Sequence, residues 1–345
     1  MKKIILVFIM LIFSSNVYAS HIVMDMDTGR ILEGNNQFDE RLIASTTKIM
    51  TSIVVLNNVD NLKEKVTVGE SVLKSHGSNI YIEIGEIITV EDLLYGLMLR
   101  SGNDAAIILA EHVGGSIEGF TQLMNETASS LGMKNTYFIN PSGLEDNFGN
   151  GNTSTCYDLG LLMSYAMKND KFKEIVSTKN KTIKTNTKTY AWTNKNKLLF
   201  NYKYTTGGKT GYTKKAKRTL VTSASKDNKN ITIVTLNESD DFNLHESLYE
   251  KTFNKYKKYK ILDSSSFLKD KKQYIKNDIY MLLTEEEYKN IKIDVNYIND
   301  SLKRIGYVTI SLDDEIYIKE DIYNIEEKEL SLIDKIKIFL RNLFK

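Results

Sequence analysis

The sequence contains one cysteine and four histidines in 345 residues. Cys156 therefore has no partner for an internal disulfide, and we expect it to be a small buried residue. The histidines are scattered along the chain, so no Cys/His group has the spacing of a zinc site. The sequence thus gives no reason to expect a structural metal, a catalytic metal or any other cofactor.

Neither sign of charge is in excess, because 46 Lys and Arg stand against 44 Asp and Glu, for a net charge of +2. Such a balance creates no overall field for a polyanion, so nucleic acid is not expected as a partner. Hydrophobic residues make up 41% and charged residues 26% of the chain. These are globular values, which exclude a disordered, collagenous or multi-span membrane protein.

The amino end carries a short apolar run from Ile4 to Phe13, preceded by two lysines and followed by polar residues up to Ala19. This layout is typical of a secretory signal peptide, which we assign to residues 1–19. The run has ten residues, about half of the ~20 that cross a bilayer as a helix, so a membrane anchor is the weaker interpretation. The mature protein is expected to be exported.

The carboxyl end has a different pattern. Over residues 329–345, apolar residues recur at steps of three and four, and lysine and arginine fill most of the other positions. The pattern predicts a basic amphipathic helix that lies on a membrane surface, with its cations near anionic headgroups. The alternative is a terminal helix that packs on its own domain.

The region between these ends predicts an α+β fold. Two β-hairpins, Ile22–Glu33 and Leu220–Leu236, are separated by apolar patterns of helical spacing. We expect one antiparallel sheet to gather both hairpins, with helices packed against it. The predicted helices begin near Ser45 or span Val90–Arg100, Asp104–Val113 and Tyr157–Met167.

A second, smaller domain is predicted after residue 260. The lysine-rich stretch Lys251–Lys260 is interpreted as a solvated helix end or linker. Three β-rich runs then follow, Lys292–Tyr297, Arg304–Leu312 and Glu315–Ile318. The sequence therefore predicts a main domain over 20–258 and a small β-domain over 261–327.

Ser45 and Lys48 form a Ser-x-x-Lys motif at the predicted start of a helix. Residues three apart lie on one helical face, so the two side chains are within hydrogen-bonding reach. A lysine whose pKa is lowered by burial or by neighbouring cations can act as a base for serine. The alternative is that Ser45 only caps the helix and Lys48 is a surface lysine. The apolar residues on either side favour the catalytic interpretation.

Two further motifs follow in the chain. Ser101-Gly102-Asn103 interrupts two apolar helices, where a hydroxyl and an amide can face one cleft; the alternative is a capped loop. Lys209-Thr210-Gly211 is interpreted as an edge strand where glycine permits close approach of a ligand, and its lysine and hydroxyl suit a substrate carboxylate. The alternative is a glycine-rich turn.

With these three motifs in this order, the sequence resembles the serine D-alanyl-D-alanine carboxypeptidases, the peptidase S11-like, low-molecular-weight penicillin-binding proteins. The similarity covers about Ile22–Tyr256 and includes the segments Ala44–Met50, Met98–Ala106, Asn140–Leu144 and Gly208–Thr213. The resemblance implies a β-lactamase/transpeptidase-like domain, an antiparallel sheet flanked by helices with a helical subdomain, followed by a small β-rich domain.

The resemblance also implies roles for the motif residues. Ser45 would be the nucleophile and form the acyl-ester, Lys48 the general base and Ser101 the proton relay. The backbone N–H groups of Ser45 and Tyr212 would form the oxyanion hole. The remaining motif residues would bind substrate: Asn103, Lys209, Thr210 and Gly211.

The implied reaction removes the terminal D-alanine from peptidoglycan stem pentapeptides, with β-lactams as covalent inhibitors, at the outer face of the cytoplasmic membrane or in the cell wall. A DD-endopeptidase that cleaves crosslinks is the alternative with the same residues. A serine β-lactamase would require an activating glutamate, for which Glu145 is the candidate, and a non-catalytic wall-binding protein would not require the motifs.

Two departures from the family pattern are visible. Lys217 follows Ala216 where the family commonly has glycine. The stretch 238–245 lacks the arginine with which many members hold the substrate carboxylate, and Arg218 is the nearest candidate in sequence.

Overall fold

The computed structural model describes residues 19–268, 272–298 and 304–324. The predicted signal peptide, apart from its last residue, and the predicted helix over 329–345 lie outside these residues and stay predictions. In the described part, no helix is long and apolar enough to cross a membrane. Two compact units are present: the larger takes residues up to 26, 31–226 and 230–250, and the smaller takes 27–30, 227–229 and the residues from 251 on. The predicted domain limits remain predictions.

The larger unit is organised around a five-stranded sheet. The strands of the whole unit are β1 (Ser20–Asp25), β2 (Ile31–Asn35), β3 (Arg41–Leu42), β4 (Lys65–Thr67), β5 (Ile87–Thr89), β6 (Thr153–Ser154), β7 (Asn180–Lys184), β8 (Thr189–Thr193), β9 (Thr205–Thr213), β10 (Lys217–Lys226) and β11 (Lys229–Leu236). The sheet has the order β2-β1-β11-β10-β9. Strand β1 pairs antiparallel with β2 and β11, and β9 with β10. The two hairpins therefore share one antiparallel sheet, as predicted.

The helices of this unit are α1 (Lys48–Asn58), α2 (Val90–Tyr95), α3 (Asn103–Gly114), α4 (Ile117–Ser130), α5 (Cys156–Ala166), α6 (Asp170–Ser177), α7 (Leu198–Asn201) and α8 (Asp241–Lys255). Helix α1 is buried from Lys48 to Val55 and contacts α3, α4, α5 and α6. Buried residues occupy all sides of its first two turns, as expected of a helix inside a core. Cys156 is buried, as expected.

Successive side chains of a strand point to opposite faces of the sheet, and α5 and α8 contact side chains on opposite faces. Helix α5 packs on β1 and β10. On the other face, His245 of α8 hydrogen-bonds Thr222 Oγ1 at 2.7 Å and Thr235 Oγ1 at 3.0 Å. Burial lowers the pKa of His245 to about 3, so this histidine is a neutral structural group that ties the helix to the sheet.

The smaller unit is β-rich. It contains β12 (Lys257–Leu262), β13 (Gln273–Tyr274), β14 (Ile279–Leu283), α9 (Glu285–Lys289), β15 (Lys292–Tyr297), β16 (Arg304–Leu312) and β17 (Glu315–Asn324). The strands form a β12-β14 pair and a sheet of order β13-β17-β16-β15 around a separate apolar core. The linker prediction is wrong for 257–260, which begin strand β12. The α+β class with a small β-rich domain is confirmed.

Candidate active site

The nucleophile motif lies where the chain enters α1. Residues Ala44–Thr47 form a 3₁₀ turn that continues directly into the helix. This tight turn brings Lys48 Nζ within 3.1 Å of Ser45 Oγ. Neither the turn nor α1 has a side-chain cap at its amino end. Capping therefore does not explain Ser45, and its hydroxyl faces the lysine instead.

Lys48 is fully buried. Besides Ser45, its ammonium donates to Asn103 Oδ1 at 2.7 Å and to the carbonyl oxygen of Ser142 at 2.6 Å. Burial, and then the positive charge of Lys209, lower the pKa of Lys48 well below its ordinary value. The amine is thus held in one place and loses its proton readily, which are the properties of a general base.

The carbonyl that holds Lys48 belongs to the loop Asn140–Leu144, to which the motif search assigned no role. Asn140 Oδ1 accepts from the backbone N–H groups of Ser142 and Gly143 at 3.1 and 2.7 Å. Gly143 has a φ of 86°, and a side chain there would collide with the carbonyl oxygen of Ala44. The Asn-Pro-Ser-Gly turn in the sequence is the signal for this loop, but its contact with Lys48 depends on the fold.

The second motif lies between α2 and α3. Residues Gly96–Arg100 form a wide π-helical turn that ends at Ser101, whose φ is 65°. Its hydroxyl is buried and has no hydrogen-bond partner among the described residues. Asn103 begins α3 and donates from Nδ2 to the carbonyl oxygen of His76 at 2.6 Å. This bond turns the Oδ1 atom of the amide toward Lys48.

The third motif lies on β9, which is an edge strand as predicted. Lys209 is buried and donates to the carbonyl oxygen of Thr210 at 2.7 Å. Burial, and then the charge of Lys195, lower the pKa of Lys209 to about 7. A Cβ atom at Gly211 would lie 2.9 Å from the backbone nitrogen of Ser45. Glycine is therefore required where the strand passes the nucleophile.

A cavity of about 310 Å³ opens between these segments. Five predicted site residues line it, namely Ser45, Ser101, Thr210, Gly211 and Tyr212. Lys48, Asn103 and Lys209 lie buried behind that surface. The sequence reasoning did not identify the remaining lining residues, which are Ser78, Lys195, Lys197, Asp241 and Phe242, and it did not place Arg218.

Arg218 stands opposite Tyr212 in the β9–β10 ladder. Its Nε and Nη2 atoms donate to the carboxylate of Asp241 at 3.1 and 2.6 Å, so the guanidinium is held in the cavity wall. Asp241 is the first residue of α8, where the helix favours a negative charge. The exposed Lys195 also lines the cavity, and desolvation of its ammonium group, followed by the charge of Arg100, lowers its pKa. Sequence alone gives no signal for the pairing of Arg218 with Asp241 or for the position of Lys195 in the cavity wall.

Glu145 does not point at the nucleophile. Its Oε1 atom accepts a hydrogen bond from Thr213 Oγ1, and the residue is not among those that line the cavity. In the part of the chain that the structure describes, no group of three His, Cys, Asp or Glu side chains has the arrangement of a metal site.

Lys217 has a φ of 60° and an exposed side chain. The left-handed conformation costs a non-glycine residue roughly 1–2 kcal/mol. We expect Lys217→Gly to raise the free energy of unfolding by about 1 kcal/mol in urea unfolding, since glycine offsets part of this gain through its larger unfolded-state entropy. Lys214→Gly, at an exposed neighbour without a positive φ, should lower stability instead. An equal loss in both variants would contradict the prediction.

The site places a buried lysine, rather than a histidine, beside the candidate nucleophile Ser45, an arrangement that fits a serine enzyme. A family model described as D-alanyl-D-alanine carboxypeptidase, Peptidase S11, matches residues 15–240. The chain belongs to this family, and the resemblance inferred from the motifs is confirmed.

Individual relatives agree with the family match. The chain is 36% identical over 214 residues to "D-alanyl-D-alanine carboxypeptidase DacF" of Bacillus subtilis, covering 61% of this chain and 54% of that protein. It is 36% identical over 241 residues to "D-alanyl-D-alanine carboxypeptidase DacC" of Escherichia coli, covering 66% and 59%. The match thus spans little more than half the length of these relatives. The solved structure of penicillin binding protein 5 from Haemophilus influenzae has a TM-score of 0.74 at 25% identity, covering 89% of this chain and 96% of that one. The predicted transpeptidase-like fold is confirmed.

Proposed function

We propose that this chain is a serine D-alanyl-D-alanine carboxypeptidase that removes the terminal D-alanine from peptidoglycan stem pentapeptides, and that penicillin acylates the same serine. The observation that carries the proposal is the buried Lys48 amine, 3.1 Å from Ser45 Oγ. Family membership and the names of the relatives support the choice of substrate.

In the proposed acylation step, Ser45 Oγ attacks the carbonyl carbon of the bond between the two D-alanines. The hydroxyl proton passes to the neutral amine of Lys48 as the C–O bond forms. The carbonyl oxygen becomes negative and is stabilised by the backbone N–H groups of Ser45 and Tyr212. The C–N bond then breaks, and the proton on Lys48 passes through the Ser101 hydroxyl to the leaving amine, which returns Lys48 to its neutral form. D-Alanine departs and the shortened stem remains on Ser45 as an ester.

Deacylation reverses these roles. A water molecule attacks the ester carbonyl and gives its proton to Lys48. The bond to Ser45 Oγ breaks, and the serine oxygen recovers a proton from the lysine. The products are free D-alanine and a stem peptide that is one residue shorter, and the enzyme returns to its starting state. No step requires a cofactor.

The terminal carboxylate of the substrate would bind at the other side of the cavity. Thr210 supplies a hydroxyl in the lining, and Lys209, which donates to the Thr210 carbonyl oxygen, supplies positive charge next to it. Arg218 shares the lining with Thr210 and is oriented by Asp241. We propose that Arg218 takes the part of the arginine that is missing from 238–245. An arginine fork suits a carboxylate because its N–H groups match both oxygens.

Substitution of Arg218 tests this assignment. Arg218→Gln is expected to raise KM for diacetyl-Lys-D-Ala-D-Ala about tenfold, the loss of one charged hydrogen bond, with a smaller change in kcat. Arg41→Gln, which removes an arginine outside the cavity lining, is the matched control and should leave both constants unchanged. The assignment is wrong if Arg218→Gln lowers kcat at constant KM, or changes neither.

The decisive experiment combines two readouts on the mature protein. Intact mass is followed during incubation with benzylpenicillin, D-alanine release is measured from diacetyl-Lys-D-Ala-D-Ala, and conversion to monomers is measured for a crosslinked dimeric muropeptide. A long-lived penicillin adduct with D-alanine release from the tripeptide supports the proposal. Cleavage of the crosslinked dimer alone would mean a DD-endopeptidase.

The other outcomes identify the remaining alternatives. Consumption of penicillin without an adduct would mean a β-lactamase, an outcome that the contact of Glu145 with Thr213 does not favour. Neither adduct nor consumption would mean a non-catalytic wall-binding protein. Each of these outcomes overturns the proposed carboxypeptidase.

We also propose that the protein works outside the cytoplasmic membrane and associates with the membrane surface through the helix predicted over 329–345. The sequence pattern of residues 1–19 supports export. The alternation of apolar residues and cations near the carboxyl end supports a surface-bound helix rather than a membrane-spanning one.

A further inference from the structure

We propose that Asp104 is a positioning residue of this site: its buried carboxylate holds the loop 76–82 in the conformation that fixes the Asn103 amide against Lys48. The inference rests on the proposed function, because it takes Lys48 as the general base. It assigns a task to a residue that lies outside the three motifs and does not line the cavity.

The carboxylate of Asp104 collects the N–H groups of three consecutive residues. Ile80 donates to both oxygens at 3.0 Å, Tyr81 donates at 2.7 Å and Ile82 at 3.3 Å. A fourth N–H group, that of Ala105, donates at 2.9 Å. Asp104 is 1% exposed, and no described lysine or arginine forms an ion pair with it. Its direct hydrogen-bond donors are therefore backbone N–H groups.

This arrangement holds the backbone in a conformation that it would not otherwise adopt. Tyr81 has a φ of 63°, in the left-handed region that disfavours an aromatic residue. Its side chain is 73% exposed, so packing of the ring does not compensate for this conformation. The hydrogen bonds to Asp104 do, together with a bond from Lys188 Nζ to the Tyr81 carbonyl oxygen at 2.6 Å.

The same loop contacts Asn103 at two points. The carbonyl oxygen of His76 accepts from Asn103 Nδ2 at 2.6 Å, and that of Ser78 accepts from the backbone N–H of Asn103 at 2.7 Å. The first bond decides which end of the amide faces Lys48. If the loop moves away, the amide is free to rotate, and Lys48 loses the acceptor that holds it beside Ser45. Ser78 also lines the cavity, so the loop forms part of its wall.

Asp104 acts on Lys48 through its charge as well. Lys209 and Lys195 lower the pKa of Lys48, and Asp104 raises it. Tyr190 of strand β8 also interacts electrostatically with Asp104, and its O–H donates to Glu86. Removal of the negative charge at 104 therefore lowers the pKa of Lys48 further. The pH profile therefore reports the charge at residue 104, and the rate reports the position of the loop.

The test is Asp104→Asn, which keeps the shape and removes the charge. We expect kcat/KM for D-alanine release to fall about 10- to 100-fold, the cost of a misplaced catalytic group. The acidic limb of the profile of kcat/KM against pH should move to lower pH, and amide exchange at Ile80, Tyr81 and Ile82 should accelerate. Asp158→Asn is the matched control. It alters another buried carboxylate, one that accepts from Asn135 N and Thr136 Oγ1, both at 2.8 Å, outside the cavity lining.

Acylation by benzylpenicillin is measured in parallel, because it separates this inference from the proposed function. If wild-type protein is acylated but releases no D-alanine, the carboxypeptidase proposal fails, while the acylation rate of the variant still tests Asp104. A rate within threefold of wild type, an unmoved acidic limb, or an equal loss in Asp158→Asn would each overturn the inference.

A second variant covers the case in which Asp104→Asn does not fold. Asp104→Glu retains the charge and displaces it by one methylene. It should lower kcat/KM through the displaced loop, while the acidic limb stays close to that of the wild type. Wild-type rates in Asp104→Glu would show that the geometry of the loop does not matter and would overturn the inference.

Discussion

Ser45→Ala is expected to abolish both the penicillin adduct and the release of D-alanine, with a loss of activity of about 10⁴-fold or more. The reason is that, among the described residues that line the cavity, only Ser45 has its hydroxyl at hydrogen-bonding distance from the Lys48 amine. Ser101 shares that lining, but its hydroxyl has no hydrogen-bond partner among the described residues. It therefore lacks the base that would make it a replacement nucleophile.

Intact mass after incubation with benzylpenicillin gives the clearest measurement for this variant. Ser52→Ala is a suitable control, because Ser52 is a buried residue of the adjoining helix α1 whose hydroxyl has no hydrogen-bond partner in the part of the chain that the structure describes. The control should form the adduct at the wild-type rate. A full adduct in Ser45→Ala would show that another residue is the nucleophile and would invalidate the proposed mechanism.

Lys48→Met should reduce kcat/KM by roughly 10²–10⁴-fold, the usual contribution of a general base. Methionine fills a similar volume without a group that accepts a proton. In the proposed mechanism, Lys48 acts as a base in its neutral form, so kcat/KM should rise with pH as the amine loses its proton. Because the pKa of Lys48 is well below its ordinary value, this rise should be complete at lower pH than for a solvated lysine. The variant should lose this limb.

The profile of acylation rate against pH, measured for wild type and Lys48→Met, tests this prediction. Lys203→Met, which removes an exposed lysine outside the cavity lining, should reproduce the wild-type profile. If Lys48→Met keeps the same acidic limb at a reduced rate, another group is the base. Thermal unfolding of each variant would separate lost chemistry from lost fold, since Asn103 and Ser142 each lose a hydrogen bond to the amine in Lys48→Met.

Local patterns in the sequence correctly predicted the elements that carry the site. Alternating residues marked both hairpins, and apolar steps of three and four marked the helices, because these periods follow from the geometry of one strand or one helix. The Ser45–Lys48 contact belongs to this group, since it joins residues three apart in a single turn. The stretch 257–260 was misjudged because its lysines resemble a solvated segment, and only pairing with β14 makes it a strand.

Contacts between distant segments were decided by the tertiary structure alone. The sequence by itself determined which residues carry hydroxyl, amine and amide groups, and where glycine permits a close approach, as at Gly211. Burial of Lys48, the turn of the Asn103 amide by His76 and the anchoring of Arg218 by Asp241 appear only in the folded chain. The pKa of a lysine and the direction of an amide depend on which groups surround them in space. The periodicity of a single helix or strand carries no information on that arrangement.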